Sequence, residues 1–365
     1  MGLFGGNKKH SFLGVDIGAS SIKVVELLNE KGRPKLMTYG YSERRPGDVL
    51  VSPFDDTRGT ADLIMQLCKK AGTTSSAVMA ALPSSSIFST IIAVPRKKDE
   101  KEMKPLIDAQ VSKLTPLPLS EMITYSTYVD DLKQPKGEKN QDKLKRDYVR
   151  VLVTGSAKSL VQKYIEIFKY AKLNLQAIDT EPFALIRALV GKDKSAIMIV
   201  DIGFKRTNIT VVEKGIPFLT RSINIGGSSV TKRIMEQMGM DEAQAEQFKT
   251  DLGMLPPQTP TVAGGLPAIL ESVMLPIVNE MRYSFELYEN MEQSELDKVE
   301  KVIVTGGTSH LPHIPEFFAE TLNMNVYRGD PWARVVYPEE LRPVLEDIGP
   351  KMSVPIGLAM REIES

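Results

Sequence analysis

The spacing of apolar residues predicts a group of four elements between residues 91 and 155. Apolar side chains recur every three or four residues over Asp99–Leu114, which predicts an amphipathic helix. A strand is predicted before it at Ile91–Pro95. Two more strands are predicted at Ile123–Val129 and Tyr148–Thr154, in stretches rich in Tyr, Val and Thr. Between them, the Lys-, Asp- and Gln-rich run Leu132–Asp147 is predicted to be a mobile, solvated loop.

The second half of the chain is predicted to contain a short buried strand and several helices. Lys301–Thr305 has the composition of a buried strand, and a helix is predicted to begin around Pro315, because proline is tolerated at an early helical position. Three further helices are predicted at Val230–Met238, Asp241–Leu252 and Ala268–Met291.

The most informative pattern is an internal repeat. Residues 14–26 have the sequence GVDIGASSIKVVE, and residues 199–213 have the sequence IVDIGFKRTNITVVE. Each predicts a strand, an Asp-x-Gly turn and a second strand, and the second turn is two residues longer. A single hairpin of this kind would be weak evidence, because Asp and Gly are common in turns. Two hairpins in matched settings indicate a duplicated binding unit.

The chemistry of these hairpins suits a phosphate chain. Glycine lets the backbone approach a ligand closely, and successive N–H groups in a tight turn bind anions. The hydroxyl groups of Ser20, Ser21 and Thr207 could donate to phosphate oxygens. Two facing hairpins would hold the phosphates from both sides. Asp16 and Asp201 would then lie near a Mg²⁺ ion and bind it through water molecules.

Two further glycine pairs precede predicted helices. Gly306, Gly307 and Thr308 follow the strand Lys301–Thr305, an arrangement that places backbone N–H groups at a helix N-terminus. Gly226 and Gly227 lead into the helix at Val230–Met238 in the same way. Neither is a P-loop, because no Gly-Lys-Ser/Thr sequence follows.

Composition excludes several classes of protein. Lys and Arg total 46, as do Asp and Glu, so the basic excess of a nucleic-acid-binding protein is missing. The single cysteine excludes a disulfide framework and suits a reducing cytoplasm. The three histidines are too few and too badly spaced for a zinc site. We also expect no transmembrane helix, because no apolar run approaches ~20 residues, and no signal peptide at the N-terminus.

The three glycine motifs, in this order, resemble those of the actin, Hsp70 and hexokinase superfamily. This resemblance implies an α/β fold of the actin-like type, with two lobes that each contain a ribonuclease H-like core, and ATP or ADP with Mg²⁺ between them. The implied cofactor-binding residues are Asp16, Gly18, Ala19, Ser20, Ser21, Lys23, Asp201, Gly203, Thr207, Asn208, Gly226, Gly227, Glu280, Arg282, Ser284, Gly306, Gly307 and Thr308. For Lys23, and for the helical set Glu280, Arg282 and Ser284, a solvated surface position remains the alternative.

A candidate catalytic residue follows from the same resemblance. Ala177–Leu189 resembles the first connecting helix of the superfamily, and Glu181 occupies the place where Gln or Glu aligns the attacking water. The alternative is a structural role, in which the carboxylate of Glu181 offsets the dipole at the helix N-terminus. Any ATPase activity is therefore expected to be weak.

The predicted strand, helix, strand and strand resemble the inserted subdomain of the FtsA and PilM families. TPLPLSE at residues 115–121 and DTEPF at 179–183 are similar to PilM sequences in particular. The PilM resemblance implies a cytoplasmic scaffold of type IV pilus assembly, or of a related secretion system. It would be attached peripherally to the inner membrane through the cytoplasmic N-terminal peptide of a PilN-like protein. Pilus motor ATPases and a second copy of the chain are further candidate partners.

Two other functions remain as alternatives. The first is an FtsA-like cell-division protein, although the amphipathic membrane helix that usually ends FtsA is not evident before Ser365. The second is a sugar or acetate kinase of the same superfamily, although no extra catalytic aspartate is evident in a substrate loop.

The resemblance also implies four structural units. The core of the first lobe is expected at residues 1–80, 172–190 and 340–365, and the inserted subdomain at 81–171. The core of the second lobe is expected at 191–228 and 296–339, and its helical subdomain at 229–295. A partner peptide is expected in a seam beside the insert, lined by parts of Ser84–Val94 and Leu114–Tyr128.

Overall fold

The computed structural model describes residues 10–48, 51–97, 100–129, 148–254 and 260–363. The N-terminal segment, the first residue of the helix predicted at Asp99, and the loop predicted at Leu132–Asp147 lie outside the described residues. The strands are β1 Ser11–Ile17, β2 Ser21–Glu30, β3 Arg33–Glu43, β4 Ala77–Leu82, β5 Ile87–Pro95, β6 Met122–Tyr128, β7 Tyr148–Ala157, β8 Asn174–Thr180, β9 Ile197–Ile202, β10 Thr207–Glu213, β11 Ile216–Ile223, β12 Lys301–Thr305 and β13 Asn325–Arg328. The helices are α1 Thr57–Ala71, α2 Glu100–Val111, α3 Lys158–Tyr170, α4 Glu181–Leu185, α5 Gly227–Met238, α6 Glu242–Asp251, α7 Ala268–Glu289, α8 Ile314–Leu322 and α9 Arg342–Ala359.

Two five-stranded sheets with the same topology form the cores of the two lobes. The first has the order β3-β2-β1-β4-β8 and the second the order β11-β10-β9-β12-β13. In each sheet, three antiparallel strands are followed by two strands that run parallel to the central one. The internal repeat in the sequence therefore corresponds to a duplicated α/β unit, as predicted.

The glutamates that end both copies of the repeat have structural roles. Glu26 is fully buried and accepts hydrogen bonds from the backbone N–H and the hydroxyl of Thr74. Glu213 is also buried and accepts from the hydroxyl groups of Tyr288 and Ser294. Because a buried carboxylate without partners would cost several kcal/mol, these contacts explain why a glutamate is compatible with each core.

Helix α9, near the C-terminal end of the described residues, packs against one face of the first sheet. Ile356 and Met360 lie in one hydrophobic cluster with Val25 and Leu27. The helix crosses β1 so closely that a Cβ atom at Gly14 would lie 2.0 Å from the carbonyl oxygen of Pro355. Only glycine permits this approach, so the hairpin that begins at residue 14 is positioned by its contact with α9.

The predicted insert forms a small sheet with the order β5-β7-β6, covered by α2. Met103, Ile107 and Val111 on α2 are buried against the sheet, which explains the helical apolar spacing in this segment. Strand β6 forms one edge, and Ile123 and Tyr125 on it are exposed. The four elements therefore occur in the predicted order.

Helix α3 packs with the first lobe, which differs from the predicted insert boundary at residue 171. Tyr164, Ile167 and Phe168 on α3 are buried in the same cluster as Leu13 and Ile64. The apolar face of α3 is thus needed by the first sheet and α1, and the small sheet ends with β7.

The insert also contacts the second lobe. Ile91 and Leu152 belong to the large hydrophobic cluster of that lobe. Arg150, which is buried, donates to the carbonyl oxygen of Gln293 and to the carboxylate of Glu295. The insert therefore packs against both lobes, because Ile87 on β5 also contacts the hydrophobic cluster of the first lobe. No helix among the described residues is both long and apolar enough to span a membrane.

Candidate functional site

A cleft of about 850 Å³ lies between the two lobes, where the turns of the two hairpins face each other. It is lined by residues from the β1–β2 turn, the β9–β10 turn and the segment after β12. The predicted site residues that line it are Asp16, Gly18, Ala19, Ser20, Ser21, Lys23, Glu181, Asp201, Gly203, Asn208, Gly227, Gly306, Gly307 and Thr308.

The two turns are closed by equivalent backbone hydrogen bonds. In the first, the N–H of Gly18 donates to the carbonyl oxygen of Ser21 at 2.9 Å. In the second, the N–H of Gly203 donates to the carbonyl oxygen of Arg206, also at 2.9 Å. A Cβ atom at Gly203 would approach only that carbonyl, at 3.1 Å, so its other side faces open space. A bulky side chain there would occupy the cleft.

Lys23 lies beside the first turn. It is directly opposite Asp16 in the register of β1 and β2, and its Nζ donates to Oδ2 of Asp16 at 2.7 Å. Burial alone would lower the pKa of Lys23, but the negative charges of Asp16, Asp201 and Glu181 outweigh burial and raise this pKa. The ammonium group is therefore held in the cleft in its charged form.

Glu181 is the first residue of α4, and its Oε2 atom is a shared hydrogen-bond acceptor. Ser84 donates both its backbone N–H and its hydroxyl at 2.7 Å, and Nδ2 of Asn208 lies 3.3 Å away. Burial, with the charges of Asp16 and Asp201, raises the pKa of Glu181 to about 7, although the Ser84 hydrogen bonds act in the opposite direction. Near neutral pH the carboxyl group is thus divided between its protonated and ionised forms.

Asp201 occupies the position in the second hairpin that Asp16 occupies in the first. Burial raises its pKa to about 6; the charge of Lys23 opposes this increase and the charge of Asp16 adds to it. Asp16, Glu181 and Asp201 outnumber the Lys23 ammonium beside them. A divalent cation would relieve this excess of negative charge.

The donors and acceptors present fit a magnesium nucleotide. Within the described parts of the chain, no three His, Cys, Asp or Glu side chains are grouped closely enough to hold a metal ion by themselves. Mg²⁺ usually keeps several water molecules and binds phosphate oxygens, so Asp16 and Asp201 would hold it here through water molecules. Oδ1 of Asn208 is buried without a hydrogen-bond partner, and its residue lines the cleft. A water molecule bound to Mg²⁺ could donate to this oxygen, whereas a phosphate oxygen, which only accepts, could not.

Two of the predicted site residues, Thr207 and Gly226, contact the second hairpin without lining the cleft. The hydroxyl of Thr207 donates to the carbonyl oxygen of Ile225 at 2.7 Å, so it is used within the lobe. A Cβ atom at Gly226 would lie 2.6 Å from the carbonyl oxygen of Gly203. Gly226 therefore allows the start of α5 to pack against the turn, and neither residue lines the cleft.

The structure does not bring the predicted set on α7 to the cleft. Glu280 forms an ion pair with Arg221, and Arg282 donates to the carbonyl oxygen of Thr321 at 3.0 Å. Ser284 is fully buried and donates to the carbonyl oxygen of Glu280 at 2.7 Å. These contacts use the polar groups of α7 within the second lobe, and none of the three residues lines the cleft, so their role beside a ribose and purine stays a prediction.

Helix α6, in contrast, supplies polar residues to the lining of the cleft. Glu246, Lys249 and Thr250 line it, and Nζ of Lys249 lies 2.6 Å from Oε2 of Glu246 and 2.8 Å from the hydroxyl of Thr231. The sequence contains a capping box at Asp241, which predicts where α6 begins but not that its residues line the cleft. Which face of α6 meets the cleft depends on tertiary packing.

The comparisons with known proteins agree with this architecture. A family model described as type IV pilus assembly protein PilM matches residues 14–363. The chain is similar to a solved structure named as a PilM-PilN type IV pilus biogenesis complex, with a TM-score of 0.78 and 23% identity, covering 97% of this chain and 98% of that chain.

Two more distant similarities point to the same fold. A structure of MreB5 of Spiroplasma citri bound to AMPPNP has a TM-score of 0.52 and 14% identity, and covers 95% of this chain and 94% of that chain. The cell division protein FtsA of Enterococcus faecalis is 22% identical over 346 residues, which are 87% of this chain and 78% of the relative. The fold is thus the predicted actin-like fold with two lobes. Because the family match spans nearly the whole chain, the protein belongs to the type IV pilus assembly protein PilM family.

Proposed function

We propose that the protein binds ATP or ADP with Mg²⁺ in the cleft between its lobes. We further propose that it is a cytoplasmic scaffold of the type IV pilus assembly platform, bound to the cytoplasmic N-terminal peptide of a PilN-like membrane protein. The observation that carries the first proposal is the pair of facing glycine turns, each closed by the same backbone hydrogen bond. Two such turns offer backbone donors to both sides of a phosphate chain.

The residues around the turns have matching roles in this proposal. Lys23 supplies positive charge to the phosphates, while the carboxylates of Asp16 and Asp201 hold water molecules around Mg²⁺. When bound, Mg²⁺ neutralises phosphate charge. Gly307, after β12, lets the nucleoside approach the backbone, and Glu246 and Lys249 of α6 contact its polar groups. Gly306 lets the same segment pack against Ile202, since a Cβ atom there would lie 2.5 Å from the carbonyl oxygen of Ile202.

Hydrolysis by this site is expected to be slow. Glu181 is the candidate residue for aligning water, but Ser84 and Asn208 already engage its Oε2 atom. Three donors to one carboxylate oxygen leave that oxygen less available to a water molecule. These features favour a protein in which the bound nucleotide stabilises a conformation.

The partner proposal is supported by the PilM-PilN complex and by an apolar region at the seam between the insert and the first lobe. Leu114, Leu117 and Ile123 are exposed on either side of the turn that precedes β6. Nζ of Lys158, at the start of α3, donates to the carbonyl oxygen of Ser120 in this turn at 2.6 Å. Exposed apolar residues beside an edge strand suit a short extended peptide.

Attachment through this peptide would place the protein at the membrane surface. Because a membrane-anchored partner is present at high local concentration, a modest affinity for its peptide would be sufficient.

Two binding measurements test the proposal. Calorimetry with the full chain should detect binding of Mg²⁺-ATP and Mg²⁺-ADP, and a steady-state ATPase rate should lie far below the ~10 s⁻¹ typical of enzymes. A synthetic peptide with the sequence of the PilN cytoplasmic N-terminus should bind to the same preparation. A protein that binds neither nucleotide would contradict the first proposal. A rate near ~10 s⁻¹ that is abolished in Glu181→Ala would contradict the scaffold role.

A further inference from the structure

The cations of the cleft differ in whether a carboxylate neutralises them. The Lys and Arg residues that line it, within the described part of the chain, are Lys23, Arg44, Lys205, Arg206, Lys249 and Lys351. The ion pairs among them are Lys23 with Asp16, Arg44 with Glu242, Lys249 with Glu246, and Lys351 with Glu43. Lys205 and Arg206 are in the turn of the second hairpin, and no ion pair joins either to a described carboxylate.

Arg206 is fixed to the phosphate-binding turn by its own backbone. Its carbonyl oxygen accepts the hydrogen bond from Gly203 that closes the turn. Its guanidinium group donates to the hydroxyl of Ser85, and its Nε donates to Oδ1 of Asn224 at 2.9 Å. Both acceptors are neutral, so the positive charge remains available to an anion in the cleft.

Ser85 lies at a junction between the cleft and the insert. It is in the helical turn Ser84–Ser86, which leads directly into β5, the first strand of the insert. Its neighbour Ser84 donates two hydrogen bonds to Glu181. The contact between Arg206 and Ser85 therefore joins the second phosphate turn, in one lobe, to the beginning of the insert, in the other.

We propose that Arg206 distinguishes a nucleoside triphosphate from a diphosphate. This inference rests on the proposed nucleotide binding. When a triphosphate is bound, the guanidinium group leaves Ser85 and donates to an oxygen of the terminal phosphate. A bond between a guanidinium and a phosphate is stronger than one to a hydroxyl. A diphosphate lacks the terminal phosphate, so the guanidinium group of Arg206 keeps its hydrogen bond to Ser85. Release of Ser85 then loosens the turn Ser84–Ser86 and transmits the state of the nucleotide to the insert.

Calorimetry with Mg²⁺-AMPPNP, a triphosphate analogue that resists hydrolysis, and with Mg²⁺-ADP provides the first test. Arg206→Gln should lower the affinity for AMPPNP about 10-fold or more, because it removes a charge-assisted hydrogen bond, and should change the affinity for ADP less than about two-fold. Lys205→Gln is the matched control. It removes the neighbouring charge but not the contact with Ser85, so it should affect both nucleotides equally.

Hydrogen–deuterium exchange over Ser84–Pro95 gives a second readout. In the wild type, exchange should be faster with AMPPNP than with ADP, and this difference should vanish in both Arg206→Gln and Ser85→Ala. Ser85→Ala should bind AMPPNP at least as tightly as the wild type does, since it loses the bond that competes with the phosphate for Arg206.

Three results would overturn the inference. One is an equal loss of AMPPNP and ADP affinity in Arg206→Gln, which would indicate a general electrostatic effect. Another is a rate of exchange over Ser84–Pro95 in the wild type that is the same with AMPPNP as with ADP. The third is a wild type that binds neither nucleotide, which would refute nucleotide binding itself. The first two results leave nucleotide binding intact, so failure of the two proposals can be distinguished.

Discussion

Lys23 and Asn208 occupy equivalent positions in the two hairpins, each directly opposite the aspartate that precedes its turn. Lys23 forms an ion pair with its aspartate. Asn208 carries no charge: its hydrogen bond to Asp201 opposes the rise in the pKa of that carboxyl, and its Nδ2 also lies 3.3 Å from the carboxylate of Glu181. The duplicated units have therefore diverged at matched positions. The first hairpin supplies charge to the cleft, and the second positions the candidate water-aligning group.

Replacing Lys23 by glutamine should weaken nucleotide binding about 10-fold or more, because a charged donor to the phosphates is lost. Asp16 is 7% exposed and would lose its counter-charge, so the unfolding temperature of the protein should also fall. Calorimetry and thermal denaturation measure the two effects. Lys35→Gln removes an exposed lysine from the same sheet and is the control. Equal nucleotide affinity in both variants would exclude Lys23 from the binding site.

Gly203→Val should abolish nucleotide binding while the protein remains folded. The new side chain would project into the cleft, where a Cβ atom meets only the carbonyl oxygen of Arg206 within 4 Å. Gly203→Ala, which adds one methyl group, should give an intermediate loss. Calorimetry measures the affinities, and circular dichroism verifies the fold. Unchanged affinity in the valine variant would mean that phosphates do not approach this turn.

The stability of the ligand-free protein should depend on pH through Glu181. Its pKa is about 7 in the folded protein against an ordinary value of 4.5, so the folded state binds more protons between these values. The stability that this group contributes is complete below pH 4.5 and is lost as the pH rises through 7.

Glu181→Gln removes that dependence and keeps a hydrogen-bond acceptor for Ser84. At about pH 8 this variant should be more stable to urea than the wild type by about 1–3 kcal/mol, and near pH 5 the difference should be small. Mg²⁺-ATP should reduce the difference, since bound Mg²⁺ favours ionised carboxylates. A variant that is less stable than the wild type at both pH values would show that Glu181 is not held at an unfavourable charge.

Ile123→Asp should lower the affinity for a PilN-type peptide about 10-fold or more. The side chain of Ile123 is 49% exposed, so the substitution should leave the fold intact while it places a charge in the proposed apolar seam. Met238→Asp is the control, since Met238 is similarly exposed on α5, in the second lobe. Fluorescence anisotropy with a labelled peptide measures the affinity. If both variants bind the peptide as well as the wild type does, the partner site lies elsewhere.

The fold could be predicted from the sequence because its strongest signals are local and repeated. The Asp-x-Gly turns at Asp16 and Asp201 lie between strands whose apolar patterns are short and clear, and the helical spacing of α2 is unambiguous. The residues of both turns line the same cleft. This could also be predicted, because two similar sheets that face each other bring their equivalent turns together.

The sequence predicts less well which polar residues on helices reach the cleft. Glu280 and Ser284 on α7 have the residue types expected of a nucleoside site, but α7 turns these groups towards partners within the second lobe. Glu246 and Lys249 on α6 have no distinctive spacing, yet they line the cleft. A helix pattern reports which face is apolar, whereas the polar face that meets a cleft is decided by how helices pack. Similarly, α3 directly follows the insert strand β7 in the sequence, but its apolar face packs against the first sheet and α1. Sequence order alone does not show this.

Ile87 and Ser156 are paired neighbours in β5 and β7, so the chain enters and leaves the insert side by side. Paired strands are ~5 Å apart, a gap that a tight hairpin turn can bridge. A segment whose ends adjoin in this way can be lengthened, shortened or exchanged during evolution without displacing the lobe that carries it. The surfaces that meet the two lobes, around Ile87 and Ile91, have to be matched. A framework of two lobes can thereby acquire a different insert while the cleft between the lobes keeps its shape.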